Sequence, residues 1–441
     1  MGSKIVVKKK INKFNKVITV DGDKSLSIRW ALLGSIAKGK SKAYNLLNSE
    51  DVTTTLESLK KLGIKTKKKN KYYEIFGNGI GGYQIKNNTI INAGNSGTLG
   101  RLLLGLLVGT EKKIKFIGDK SLARRDFSRV IDPLKKFGAK FNSRNGKLPL
   151  TIYGSQNIRS INYTENKGSA QCKSCVMLAA LSAPGTTKIK AKKSRDHTEL
   201  LLKYLKVQIK IKKNKQYDYI QIKGGEKIPP FNYNIPGDIS SSAFFIVLTL
   251  LTPNSKLKIK NVNVNQSRIG AIKILKMMGA KIKFENKKDY KGEKIADIEV
   301  SSSNNLKAIN CPTKLNSSAI DEFLIIFLAA AKAKGMSTFK SLSELDKKES
   351  PRLKIASNIL NKIGIKTQLT KDSIKIYGQP NICLQKDYTI KNFYKDHRVF
   401  MMSTIAALTF GGKWKINDPD SVQTSFPSFL KIIKSLGGKF K

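Results

Sequence analysis

Two patterns of apolar and polar positions alternate along the chain. The first is an amphipathic segment that ends in an apolar residue and Gly before a basic strand. It recurs as Leu59-Lys-Lys-Leu-Gly63, Leu134-Lys-Lys-Phe-Gly138, Leu275-Lys-Met-Met-Gly279, Leu360-Asn-Lys-Ile-Gly364 and Ile433-Lys-Ser-Leu-Gly437. A sixth copy, Leu202-Lys-Tyr-Leu-Lys206, carries Lys where the others carry Gly. The marker positions 63, 138, 206, 279, 364 and 437 are 75, 68, 73, 85 and 73 residues apart. The second pattern is a strongly apolar helix opened by small or polar residues near Ser25, Ser96, Ser169, Ser240, Ala319 and Asp396, at steps of 71, 73, 71, 79 and 77. Each unit therefore predicts a buried helix, an amphipathic helix stopped by Gly, and short β-branched strands such as 112–117 and 256–262. Chance recurrence in a Lys-rich chain does not explain why both markers keep one step. Six such units mean an α/β repeat architecture.

Six units of about 70 residues exceed one core, so two domains of three units each are expected. The break is expected near the middle, where Ile228-Pro-Pro-Phe and Pro236-Gly-Asp238 interrupt a strand pattern. Asp21-Gly-Asp23 matches it after the first strands, which assigns residues 1–21 to the C-terminal half (238–441) and makes 22–237 an inserted domain.

Composition changes this picture little. The 441 residues include 72 Lys and 11 Arg against 31 acidic residues, for a formal charge of +52, yet 40% are hydrophobic. The longest apolar run, Phe323 to Ala331, is nine residues, far short of the roughly 20 that span a bilayer. The basic N-terminus has no apolar signal core and reads as a strand. Four cysteines fit a reducing compartment better than a disulfide scaffold. A cytoplasmic protein without a membrane partner is expected. The charge raises nucleic acid as a partner, but the lysines are spread along nearly the whole chain without an RNA-binding aromatic signature or zinc-finger spacing. They read as a solvation bias, and no nucleic-acid role is expected.

The chemistry sits where the apolar helices start. The openings read Gly22-Asp-Lys-Ser-Leu-Ser-Ile-Arg29, Gly94-Asn-Ser-Gly-Thr-Leu-Gly-Arg101, Gly168-Ser-Ala-Gln171, Gly237-Asp-Ile-Ser-Ser-Ser242, Ile320-Asp-Glu322 and Lys395-Asp-His-Arg398. Ser, Asp and Asn at such positions serve as helix caps. Lys24, Arg29, Arg101 and Arg398 need another reason, because the helix dipole disfavours cations there. An anion lying between dipole and cation supplies it. Against 72 lysines, the few arginines should persist where a planar fork is required for carboxylate or phosphate. Six of the 11, Arg29, Arg101, Arg125, Arg195, Arg352 and Arg398, fall in these openings or in Ser121-Leu-Ala-Arg-Arg125, Ser194-Arg-Asp-His-Thr-Glu199 and Lys348-Glu-Ser-Pro-Arg352. Both histidines, His197 and His397, follow an Asp. Cys172-Lys-Ser-Cys175 lacks the partners of a zinc site and is expected to pack in the third apolar helix.

Together these motifs resemble the enolpyruvyl transferase family, in its 5-enolpyruvylshikimate-3-phosphate synthase branch. Gly22-Asp-Lys-Ser-x-Ser-x-Arg29, Gly94-Asn-Ser-Gly-Thr98, Asp238-x-Ser-Ser-Ser-Ala243, Lys348-Glu-Ser-x-Arg352 and Asp396-His-Arg398 occur in family order, and Arg195-Asp-His-Thr-Glu199 and Thr424-Ser-Phe-Pro-Ser-Phe429 resemble its bacterial class II. The resemblance covers nearly the whole chain. It implies two domains of three βαβαββ-type units each, an inside-out α/β barrel arrangement, with the site in the interdomain cleft. It also implies a monomer without cofactor or metal that moves the enolpyruvyl group of phosphoenolpyruvate to the 5-hydroxyl of shikimate 3-phosphate.

By the same resemblance, Lys24, Gly97, Arg125 and Gln171 hold the phosphoenolpyruvate phosphate, and Arg352 and Arg398 its carboxylate. Ser25 and Arg29 face the shikimate carboxylate. Ser169 and Arg195 contact its phosphate, and Lys24, Ala170, Gln171 and Lys348 also contact this substrate. Asp321 sits on the ring hydroxyls as candidate base, Glu349 and Lys24 transfer protons, and Asn95, Thr98, Arg101 and His397 support. Asp126 stands where the family has Pro, Pro351 where it has Asp, Asp21 where a hinge Pro is common, and Thr424 where many members have Lys. Asp126 and Pro351 put phosphoenolpyruvate affinity in question. The runner-up, UDP-N-acetylglucosamine enolpyruvyl transferase, lacks the Lys-Glu-Ser and Asp-His-Arg pairing and uses a loop Cys absent from 124–129 here. An RNA-binding or RNA-end-processing protein on similar repeats is the alternative of a different class.

Overall fold

A computed structural model describes residues 3–441; the first two residues of the expected N-terminal strand lie outside the described residues. The chain divides into two compact units. One holds the residues through Asp21, Pro236–Asp289 and Lys294–Lys441; the other holds Gly22–Ile235 together with Tyr290–Glu293. Besides the passages at Asp21 and Pro236, the tip of the hairpin formed by Lys281–Tyr290 and Glu293–Ser301 therefore counts with the second unit. There Glu293 Oε1 lies 2.6 Å from His197 Nδ1, both side chains being buried.

Each unit is built from three small sheets and three buried helices. In the Gly22–Ile235 unit the apolar helices are Lys24–Ser35, Gly97–Leu106 and Ala170–Ala180. In the other they are Ile239–Leu251, Phe323–Ala331 and His397–Phe410, in which every residue is buried. Helices apolar on all sides belong at the centre of a core, and amphipathic ones at its edge. The amphipathic helices Glu50–Lys61, Ser128–Lys136, His197–Tyr204, Gly270–Met277, Arg352–Lys362 and Phe429–Ser435 accordingly bury one face each. Strands such as Thr186–Lys192 alternate buried Thr, Ile and Ala with exposed Lys, so the sheets lie outside the helices with their lysines outward. Much of the lysine excess is therefore the solvent side of these sheets.

Four of the six sheets share one plan, a parallel pair followed by an antiparallel hairpin, and the other two have three strands. Thr89–Asn92 runs parallel to Ile114–Ile117, which pairs antiparallel with Leu150–Tyr153 and through it with Lys140–Ser143. The first repeat borrows its parallel strand from Asn232–Asn234, beside Lys38–Tyr44. The fourth borrows Asn15–Ile18, beside Lys256–Asn263. In the sixth, Lys4–Val7 closes the sheet antiparallel to Gly411–Asn417.

The repeat marker has a clear conformational basis. Gly63, Gly138, Gly279, Gly364 and Gly437 all have φ between +80° and +111°, where Gly has no Cβ penalty. In five of the six copies the next N–H reaches back to the carbonyl that opens the marker, as in Ile64 N to Leu59 O at 3.0 Å. This is the Schellman closure. Lys206 adopts the same turn at φ +61°, with Val207 N donating to Leu202 O at 3.0 Å. One boundary differs from expectation. The fifth apolar helix starts at Phe323, because a short helix, Asn316–Ala319, precedes it and residues 320–322 form a turn. The Asp321 carbonyl accepts a hydrogen bond from Arg398 Nη1 at 2.9 Å instead of from the helix.

Candidate active site

In the Gly22–Ile235 unit, three apolar helices start with capped N-termini and bring cations to them. Asp23 accepts from Leu26 N (2.9 Å), Ser96 from Leu99 N (3.3 Å) and Ser169 from Cys172 N (3.3 Å). The capping role thus holds for these residues, and the cations come in addition. Lys24, in the first turn, has its ammonium 3.0 Å from Asp51 Oδ2. Asp51 is buried in the first turn of Glu50–Lys61, where a helix favours an acid. Ser25 lies beside it, partly exposed, and its carbonyl accepts from Arg29 Nη1 at 3.2 Å.

The second helix start gathers two arginines. A Cβ on Gly97 would sit 3.1 Å from Nη1 of both Arg101 and Arg125. Arg101 Nη1 donates to Gln171 Oε1 at 2.5 Å, and Gln171 Nε2 donates to Thr98 Oγ1 at 3.1 Å. Arg101 also lies over the Phe127 ring, 5.0 Å from its centroid. Arg125 Nη2 donates to Asn95 Oδ1 (2.9 Å), whose Nδ2 donates to Asp119 Oδ2 (2.6 Å). Burial above all, with the charges of Arg125 and Arg129, lowers the Arg101 guanidinium to about 10. A cation depressed in this way gains from a bound anion. Ala170 and Gln171 form the first turn of the third helix, and Arg195, partly exposed, precedes helix His197–Tyr204.

In the other unit, Asp396 is the centre. This fully buried carboxylate caps helix His397–Phe410 by accepting from Arg398 N at 2.9 Å. It also accepts from Ser350 Oγ (2.8 Å), Arg352 Nε (2.8 Å) and Arg352 Nη2 (3.2 Å). Burial alone would raise its pKa, but Arg352 outweighs that and holds it below the ordinary 3.8. Burial would likewise lower Arg352, and Asp396, Glu349 and Asp321 together keep it above its ordinary value. Arg352 Nη2 bonds Glu349 Oε2 at 2.5 Å, and its Nη1 lies 3.5 Å from Asp321 Oδ1. Lys348 Nζ lies 3.3 Å from the same oxygen. His397 Nδ1 lies 3.2 Å from Thr424 Oγ1.

The structure thus gathers Lys24, Ser25 and Arg29 on one helix, and Asn95, Gly97, Thr98, Arg101, Arg125 and Gln171 in a second group of the same unit. Asp321, Lys348, Glu349, Arg352, His397 and Arg398 come together in the other unit. Functional groups that the sequence pattern did not single out are Asp51 under Lys24, Ser174 and Thr198 on Arg29, and Asp396 as acceptor. Asp51 was legible as an acidic helix start, but its partner 27 residues upstream was not. The Asp238 motif proves to be a buried polar knot: Arg268 Nη2 donates to Ser240 Oγ (2.8 Å) and Asp238 Oδ1 (3.3 Å), and Ser240 hydrogen-bonds Glu322. Cys172 and Cys175 are buried on helix Ala170–Ala180, and burial pushes both thiols up, so they pack and are not nucleophilic.

The departures have local explanations. The Asp126 carboxylate accepts from Ser128 N at 2.8 Å and lies 3.8 Å from Arg129 Nε, turned toward the next helix. Its carbonyl meets a site residue, accepting from Arg101 Nη2 at 3.1 Å. Pro351 is the residue before helix Arg352–Lys362, where no N–H is needed. Asp21 accepts from Ser428 N at 3.1 Å, a bond Pro could not make.

The arrangement of sheets and central helices is that of the enolpyruvyl transferases. The chain superposes over its whole length on the enolpyruvyl transferase NikO from Streptomyces tendae with a TM-score of 0.78, at 14% identity, a likeness of fold alone. It superposes on EPSP synthase from Acinetobacter baumannii with a TM-score of 0.87 at 34% identity, covering 100% of this chain and 99% of that one. A 3-phosphoshikimate 1-carboxyvinyltransferase of Ruthia magnifica subsp. Calyptogena magnifica is 40% identical over 440 residues, 99% of this chain and 98% of the relative. The family model for EPSP synthase (3-phosphoshikimate 1-carboxyvinyltransferase) matches residues 8–433, and the chain belongs to that family.

Proposed function

We infer that the chain is a carboxyvinyl transferase that moves the enolpyruvyl group of phosphoenolpyruvate onto the 5-hydroxyl of shikimate 3-phosphate and releases phosphate. It serves aromatic amino-acid biosynthesis. The observation that carries this reading is the concentration of Lys24, Arg29, Arg101 and Arg125 at helix N-termini of one unit, a setting built for phosphate and carboxylate. Both substrates carry one of each. Family membership supplies the reaction.

In this reading, Lys24, Gly97, Arg125 and Gln171 take the phosphoenolpyruvate phosphate. Arg352 and Arg398 take its carboxylate, and Arg352 is pre-oriented by Asp396. Ser25 and Arg29 take the shikimate carboxylate, Ser169 and Arg195 its phosphate, and Lys24, Ala170, Gln171 and Lys348 also contact this substrate. Asp321, fixed by Lys348, Arg352 and the Arg398 contact to its carbonyl, accepts the proton of the 5-hydroxyl as its oxygen bonds to C2 of phosphoenolpyruvate. C3 gains a proton, giving a tetrahedral ketal. Loss of a proton from the new methyl group then restores the double bond as the C2–O bond to phosphate breaks. Glu349 and Lys24 carry these protons. Acid, base and fixed cations suffice for each step.

The chain is read as working as a monomer. Gly97 leaves the room beside Arg101 and Arg125 that the inhibitor glyphosate needs. Four unbonded cysteines favour a cytoplasmic location. Among the described residues, no helix is long and apolar enough to cross a membrane. Glu349→Gln and Asp321→Asn test the proton roles: turnover should fall at least ~100-fold, the range of general acid–base catalysis, with both proteins still folded. Turnover within twofold of the parent would remove them from the mechanism.

A further inference from the structure

Arg29 is 5% exposed, and its guanidinium is held by an unusual neutral fork. Nε donates to Thr198 Oγ1 at 2.8 Å and Nη2 donates to Ser174 Oγ at 3.1 Å. Thr198 Oγ1 in turn donates to Ser174 Oγ at 2.7 Å, so the two hydroxyls form one linked pair. Both are buried, Ser174 in helix Ala170–Ala180 and Thr198 in helix His197–Tyr204. The same guanidinium edge in Arg352 meets the two oxygens of Asp396 at 2.8 and 3.2 Å. The hydroxyl pair thus occupies the same guanidinium edge as that carboxylate without adding a negative charge of its own. The adjacent charged residues, Lys173 and Glu199, face each other at 2.5 Å, with Asp218 3.8 Å from Lys173.

We propose that Ser174 and Thr198 are positioning residues for acceptor binding: they fix the plane of Arg29 against helix Lys24–Ser35 so that its fork meets the ring carboxylate of shikimate 3-phosphate. The inference rests on the reading of Arg29 as a ligand of that carboxylate. A guanidinium clamped along one edge has lost its rotamer freedom before the ligand arrives, so binding does not have to supply that ordering. The hydroxyls also satisfy donors that would otherwise be buried without acceptors. Neither residue touches substrate in this scheme. Both act through Arg29.

The test is steady-state kinetics of Thr198→Val, Ser174→Ala, Thr198→Ser and Arg29→Lys, with thermal melting to confirm folding. Loss of a hydrogen bond to a charged group predicts that Thr198→Val raises KM for shikimate 3-phosphate about tenfold or more. Its kcat and its KM for phosphoenolpyruvate should stay within about twofold, the difference that marks a loss confined to acceptor binding. Thr198→Ser, which keeps the hydroxyl, should restore the parental value. A substrate analogue with a carboxamide in place of the ring carboxylate should bind the parent and Thr198→Val equally. If Thr198→Val weakens carboxylate and carboxamide ligands alike, the hydroxyls serve only the fold and the proposal is overturned. If Arg29→Lys raises that KM but neither hydroxyl variant does, positioning fails while the reading of Arg29 stands. If Arg29→Lys leaves it unchanged, the reading itself fails and this inference falls with it.

Discussion

Asp396 binds Arg352 along one guanidinium edge, with Nε at 2.8 Å and Nη2 at 3.2 Å, while its Oδ1 also caps the helix that carries Arg398. One carboxylate therefore sets the direction of one arginine and the backbone under another. The arrangement explains why an acid stands in the midst of a candidate carboxylate-binding group. It aims the cations at the cost of part of their charge.

That pairing has a pH signature. The folded pKa of Asp396 lies below the ordinary 3.8. Its contribution to stability is therefore complete above about pH 4 and is lost as the pH falls through the folded value. Asp396→Asn should destabilise the protein at neutral pH by about 3–5 kcal/mol, the cost of breaking a buried pair. It should also flatten the loss of stability below pH 4. Urea unfolding at neutral and acid pH measures both; an unchanged acid slope would place the acid lability elsewhere.

Gly97→Ala puts a methyl group 3.1 Å from Nη1 of both Arg101 and Arg125. Guanidinium ends can yield, so the fold should stay within about 1 kcal/mol of the parent. The displaced forks should weaken phosphoenolpyruvate, raising its KM, and weaken glyphosate inhibition more. A variant as sensitive to glyphosate as the parent would contradict the role given to Gly97.

Lys206 holds a left-handed turn, φ +61°, that its five counterparts give to Gly. A non-Gly residue there costs about 1–2 kcal/mol, and Gly returns about 0.4–1 kcal/mol of that in unfolded-state entropy. Lys206→Gly should stabilise by roughly 0.5–1 kcal/mol, read as a higher urea midpoint at unchanged slope. A lower midpoint would show that the exposed Lys206 side chain contributes more than the turn costs.

Asp126 offers the opposite kind of prediction. Its carboxylate faces Ser128 and Arg129, so Asp126→Asn should leave KM for phosphoenolpyruvate within about twofold. A marked gain in affinity would mean that its charge does act on Arg125.

The repeat was legible because it rests on local rules: Gly closes the amphipathic helices, and continuous apolar runs make the central ones. The arginines stood out for a similar reason, since a fork is needed wherever Lys has not replaced it. Arg268 shows the limit of that logic, being a fork spent on the buried pair Asp238 and Ser240. Partners distant in sequence stayed hidden, because neither helical nor strand period connects Arg29 to Ser174 and Thr198, or Lys24 to Asp51. The fifth helix begins four residues after Ala319 because a short helix, Asn316–Ala319, and a turn at 320–322 precede it, a break that the apolar period does not mark.

The central claim is the transfer reaction itself, and a phosphate-release assay with phosphoenolpyruvate and shikimate 3-phosphate, each omitted in turn, tests it most directly. The account predicts that phosphate appears only when both are present, one for each carboxyvinyl product formed. Phosphate released at the same rate from phosphoenolpyruvate alone, or none with both substrates and folded protein, would contradict it.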